Sequence, residues 1–227
     1  MTPPPNAGLY RRATAAALAL GPLLFLLDNL LHPKEYTRDH EAQQLAKIGD
    51  AYTRWQLAHT IGFLALIVFA AAVLGLAFMV RRRQPTLGLV AGALGIVGLL
   101  GAAGVFAIDG YTWGVLGEVS TKPGIDHHTV EVALNTVQKS NWSLAWYLLL
   151  PVWIAGIVLL AIGAGRQGAV PAWSALLLAV GALTVGTEAF ITSNAYFIAS
   201  SALWAAGGIA VAASIARMSD DRFAGLG

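Results

Sequence analysis

Cysteine is absent from the chain, which excludes disulfides, thiolate-held metals and cysteine nucleophiles and leaves the compartment open. Charge is scarce: 11% of the 227 residues are Asp, Glu, Lys or Arg, against roughly a quarter in a soluble domain. No basic patch with interleaved aromatics is present, so the sequence suggests no nucleic-acid partner. Walker loops, the G-x-S-x-G elbow, a G-x-G-x-x-G after a strand, HExxH and internal repeats are all missing. The common soluble nucleotide-binding, hydrolase and zinc-protease chemistries therefore have no anchor here.

What remains is apolar. Hydrophobic residues make up 57% of the chain and mean hydropathy is +0.66. A helix needs about 20 apolar residues to cross the ~30 Å hydrocarbon core. Six runs qualify: 13–31, 57–80, 87–108, 143–164, 172–189 and 196–215. The expected fold is an all-α polytopic membrane bundle of six transmembrane helices forming a single domain over 1–227. Arg11 and Arg12 precede the first run as they would a signal peptide, but the run is long and lacks a small-residue cleavage site, so it counts as the first span.

Orientation follows from the cations. Arg11, Arg12, Arg81, Arg82, Arg83, Arg166, Arg217 and Arg222 fall on one side, with only Asp220 and Asp221 as acids there. That side is expected to be cytoplasmic, with both termini, in an inner membrane. Its basic rim suits anionic lipid headgroups.

The other side holds two longer segments, 33–56 and 118–142. Ala42, Leu45, Ile48 and Tyr52 recur at helical spacing within 41–54, which predicts an amphipathic outer helix. Pro123 and Gly124 break the chain before a second, less regular pattern over 125–138. Two short outer helices are thus expected to roof or anchor the bundle.

Four ionisable residues interrupt the apolar runs: Asp28, His59, Asp109 and Glu188. With alternating spans, all four fall in the outer half. Charge in hydrocarbon costs at least a few kcal/mol per residue, so such groups are expected to line a cavity, to pair or to work. Glu188 stands out because the apolar stretch resumes after only Ser193 and Asn194. The pairs Asp28 and His32, Trp55 and His59, and Asp109 and Trp113 are four apart and share a helix face, as do Thr184 and Thr192 with Glu188. Tyr111, Trp113, Trp142, Trp146 and Tyr196 crowd the same outer ends. A plain aromatic belt would put such rings at both interfaces, so these five are expected to line the pocket and bind substrate.

His32, His59, His127 and His128 are the candidate metal ligands on this side. His127 and Glu131 have i, i+4 spacing beside Asp126, but no His pair shares a helical face in the manner of a zinc site. No metal and no cofactor are expected. The HxxxH of ceramidase-type and adiponectin-receptor-type membrane hydrolases is absent from the last run, which holds no histidine.

The Ala/Leu/Gly/Val texture, the run Trp55-Gln-Leu-Ala-His59 and the triplet Arg81-Arg-Arg83 resemble small six-span bacterial membrane proteins, a resemblance that implies no function. Buried acids beside an aromatic lining are similar to the arrangement in integral-membrane terpene cyclases and isoprenoid isomerases, without a shared motif. Burial favours the neutral form of a carboxylic acid, which can then donate its proton. The expected function is acid/base catalysis on an apolar lipid or isoprenoid-like substrate, as a cyclase or isomerase. Its alternative is non-catalytic ligand binding or transport, or an accessory subunit in which the acids pair with His59.

Overall fold

In an apolar medium every backbone N–H and C=O must be paired within the chain, which leaves helices as the form open to long apolar runs of this kind. The structure, a computed structural model, describes residues 6–33, 41–188, 191 and 193–224, and among these there is helix and no strand. The helices are α1 Ala7–Leu31, α2 Glu41–Asp50, α3 Tyr52–Arg83, α4 Pro85–Ser120, α5 His127–Gln138, α6 Asn141–Tyr147, α7 Leu150–Arg166, α8 Ala172–Gly186, α9 Asn194–Ala216 and α10 Asp220–Phe223. Five units are long and apolar enough to cross a membrane: α1, α3, α4, the pair α6 and α7 taken together, and α9. Large apolar side chains such as Leu20, Leu64, Leu74, Leu89 and Leu100 stand exposed on them. A water-soluble monomer rarely leaves so much contiguous apolar surface uncovered; this is a membrane protein.

The run 172–189 departs from expectation. Its helix, α8, stops at Gly186 after 15 residues, roughly 22 Å at 1.5 Å per residue, which is short of a bilayer core. Ala189 lies outside the described residues, and Glu188 follows the helix instead of riding on it. The last turn is closed by hydroxyls: Thr187 Oγ1 donates to the Thr184 carbonyl (2.8 Å) and Tyr196 Oη reaches the same carbonyl (3.2 Å).

Six helices close a ring, with α1 packed on α3, α3 on α4, α4 on α7, α7 on α8, α8 on α9, and α9 back on α1. Small residues let the backbones touch. A Cβ on Gly156 of α7 would lie 2.3 Å from the backbone nitrogen of Gly95 on α4, and one on Gly181 of α8 would meet Trp204 Cα of α9 at 2.5 Å. Between the helices, Trp204 is fully buried and packs on Phe25, Phe69 and Trp153 at ring-centroid distances of 5.4, 4.8 and 5.5 Å. This aromatic plug fills the middle of the ring.

Two helices extend where the sequence pattern predicts a boundary. The amphipathic stretch 41–54 is divided: α2 ends at Asp50 and α3 starts at Tyr52. Trp55 is thereby carried on a long helix, where it is buried and donates Nε1–H to the Gly110 carbonyl (3.1 Å). The third apolar run continues past 108 to Ser120. Asp109 and Gly110 do not stop it, because one hydrogen-bonds inward and the other makes room for His59, whose Cβ a side chain at 110 would approach to 2.7 Å. The helix ends only before Pro123 and Gly124, the latter at φ 78°.

The extra turns of α4 give α2 and α5 something to sit on. Leu45, Val130 and Leu134 form a small separate core with Trp113, Leu116 and Val119, capping one end of the ring. At the opposite end the arginines hold helix C-termini, where exposed carbonyls and the helix dipole favour cations. Arg11 bonds Asp220 (2.8 Å) and the Ala216 carbonyl (2.6 Å), Arg83 the Gln167 carbonyl (3.1 Å), and Arg222 the Gly168 carbonyl (2.8 Å).

Candidate functional site

Between the aromatic plug and the cap the ring opens into a cavity of about 440 Å³, inside the ~300–1,000 Å³ range of small-molecule sites. Asp28, His59, Asp109 and Glu188 all line it. They arrive from four elements. Asp28 is buried one turn before the end of α1, with its carboxylate against Gly62 of α3, where a Cβ would come within 3.0 Å of it. His59 lies on the second turn of α3 and Asp109 two-thirds along α4. Glu188 stands just beyond α8, where the early end of that helix leaves it level with the others.

Each group is held. Both carboxylate oxygens of Asp109 accept from the Tyr147 hydroxyl, at 2.9 and 3.0 Å. Tyr147 is the last residue of α6. Pro151 lacks an N–H and its ring collides with the preceding turn, so α6 and α7 part at Leu148 and Leu149. Glu188 Oε1 accepts from the Ser200 hydroxyl on α9. His59 Nδ1 lies 3.1 Å from the Trp55 carbonyl. A carbonyl can only accept, so Nδ1 carries the proton and Nε2 is the nitrogen left to take one. The ring is fixed further by Trp55 at 4.2 Å and His32 at 5.2 Å between centroids.

The remaining wall is mostly carbon, with Phe25, Phe106, Trp113, Trp153 and Phe197 contributing rings. Of the five aromatics expected to bind substrate, Trp113 lines the cavity and four do not. Tyr111 and Trp142 are each 70% exposed, because α4 and α6 turn those positions outward. Trp146 covers Gly104 and meets Trp142 edge-on at 5.7 Å. Tyr196 is spent on the end of α8.

Several lining groups escape pattern reading. Asn29 is buried and donates to Ser201 (2.6 Å), tying α1 to α9. Gln44 of α2 and Gln138 of α5 reach the cavity from the cap, and Tyr147 and Trp153 enter from α6 and α7. Asn29 had a visible signal, a second polar residue beside Asp28 in an apolar run. The two glutamines sit in segments already rich in polar residues, and nothing sets them apart there.

Asp126, considered beside His127 and Glu131 as a metal cluster, is the N-cap of α5. It accepts from Thr129 Oγ1 (2.6 Å), Thr129 N (3.1 Å) and His128 N (3.2 Å), bonds that hold its carboxyl below the usual 3.8. No group of three His, Asp or Glu suited to a metal occurs among the described residues.

No family model, curated protein or solved structure matches this chain.

Proposed function

We propose that this protein is an intramembrane enzyme that moves protons on an apolar, lipid-like or isoprenoid-like substrate. One observation carries the reading: three carboxyl groups and two imidazoles, those of His32 and His59, brought together from four separate parts of the chain, line a single cavity whose remaining wall is largely aromatic and aliphatic. A cavity that served only for packing would be filled by carbon. Buried acids persist against their desolvation cost where they are used.

In this reading Asp109 and Glu188 are the acids, each oriented by a hydroxyl, and His59 Nε2 is the group that accepts a proton in return. Donation to a carbon–carbon double bond places positive charge on the substrate. The faces of Trp55, Trp113 and Trp153 attract that charge through their quadrupoles. The cap of α2 and α5 keeps water from quenching it. In the proposed topology the chain has six membrane spans, with α8 as the short one, the cap and cavity face the outer leaflet, and the arginine end and both termini face the cytoplasm of a bacterial inner membrane. Substrate enters from the bilayer in this arrangement, as apolar molecules partition there.

Turnover of isoprenoid and lipid alkenes by purified protein tests the proposal. Glu188→Gln and Asp109→Asn are each expected to lower turnover by about 10²-fold or more while melting close to the parent in the same detergent. Full activity in both variants would exclude acid catalysis by these residues. Saturable binding without turnover of any substrate would instead make the cavity a ligand-binding site.

A further inference from the structure

The titratable side chains facing the cavity are acids and histidines. Asp28, Asp109 and Glu188 line it together with His32 and His59, and no lysine or arginine is found among its described lining residues. Arg54, on the first turn of α3, donates Nε–H to the Leu31 carbonyl at 2.5 Å and is not part of the wall. One N–H of the Asn29 amide is committed to Ser201, and Nδ1 of His59 to the Trp55 carbonyl. Much of the remaining wall is aromatic, contributed by Phe25, Trp55, Phe106, Trp113, Trp153 and Phe197, and aromatic ring faces carry partial negative charge.

A ligand with a carboxylate, phosphate or diphosphate would set its charge against these carboxyl groups and π systems with no lysine or arginine among the described lining residues to neutralise it. A positively charged group gains from both. An ammonium group beside a buried acid favours that acid's ionised form, the resulting ion pair lies within a wall of low dielectric, where Coulomb attraction is strongest, and tryptophan is the best of the rings for cation–π contact. We infer that the cavity takes a hydrophobic organic cation, an amine or ammonium group on an apolar body, and rejects anionic ligands of the same shape. The inference rests on the cavity being the substrate site proposed above. It also names that substrate's class: a molecule that is cationic or becomes so during reaction, delivered without a phosphate.

The test uses three probes with one apolar body: geranyldimethylamine, geraniol and geranic acid, which are cationic, neutral and anionic at neutral pH. The full chain is reconstituted in nanodiscs of zwitterionic lipid. Binding is read from the fluorescence of the cavity tryptophans and by calorimetry, with empty nanodiscs subtracted. The amine is expected to bind about tenfold or more tightly than the alcohol, and the acid to show no saturable binding. Asp109→Asn and Glu188→Gln should each erode the amine's advantage and leave the alcohol's affinity within about twofold.

Geranic acid binding as well as the amine would overturn the inference. So would an amine preference that survives in the double variant Asp109→Asn/Glu188→Gln. Should a carboxamide variant fail to fold, the ranking of the three probes on the parent protein decides alone. Amine-selective binding without any turnover would sink the proton-transfer reading and keep this one. Turnover sensitive to Glu188→Gln, with no discrimination among the probes, would do the reverse.

Discussion

Gly110 controls how closely the two helices bearing His59 and Asp109 approach. A methyl group there would meet His59 Cβ at 2.7 Å and its ring carbons at about 3 Å, so Gly110→Ala must push α3 from α4 or tilt the imidazole. The expected cost is about 1–3 kcal/mol, read as a lower melting temperature in detergent, with Trp55 fluorescence shifted as its bond to the Gly110 carbonyl lengthens. An unchanged melting curve would mean that the helices are not in contact at this level. Tyr147→Phe removes the hydroxyl that bonds both carboxylate oxygens of Asp109. Losing a hydrogen bond to a buried acid is expected to cost about 1–3 kcal/mol, and on the proposed chemistry it should slow turnover less than Asp109→Asn does, since the acid itself remains.

At the level of elements, the start of α5 depends on one exposed carboxylate. Asp126 has its carboxyl held below the ordinary value, chiefly by the Thr129 hydroxyl and then by the Thr129 and His128 amides. A depressed folded-state value means stability that is present above the unfolded value of 3.8 and is lost as pH falls through the folded value. Asp126→Ala should therefore loosen α5 at neutral pH, and the difference from the parent should shrink below about pH 4. Amide exchange along His127–Gln138, corrected for intrinsic rates, measures it. A difference that stays constant from neutral pH to acid would show that the cap is not ionic. The break between α6 and α7 is a second element-scale device. Pro151 explains the parting of the helices, and the turn it creates lets the end of α6 bring Tyr147 to Asp109.

For the whole molecule, the separation of polar ends is the governing feature. The arginine end ties the C-termini of α3 and α9 and the turn after α7 through Arg83, Arg11 and Arg222, while the capped end carries the cavity. With the proposed topology, a cysteine introduced as Arg82→Cys into this naturally cysteine-free chain should resist membrane-impermeant maleimide in intact cells and react after lysis. One introduced as Lys122→Cys should react without lysis. The opposite pattern would invert the bundle and put the cavity towards the cytoplasm.

Composition and hydropathy alone determined that the chain is a helical membrane protein. The cost of an ionisable group in an apolar run singled out the four residues that line the cavity, because that cost is a property of residue and neighbourhood and needs no fold to be stated. The aromatic lining was not legible in the same way. Tyr111 and Trp113 are two positions apart on one helix, and which of them faces inward depends on how α4 is rotated against α3 and α7. That rotation is set by glycines meeting His59 and Trp146 across helices. Helix ends were decided tertiarily as well. Asp109-Gly110 reads locally as an exit from the membrane, yet a tyrosine hydroxyl and a closely packed neighbour carry the helix on. Glu188 lies level with the other three because α8 ends early, where the hydroxyls of Thr187, just past the helix, and Tyr196 of α9 both bond the Thr184 carbonyl. Burial costs are additive and local, whereas helix rotation and termination follow from contacts between distant parts of the chain.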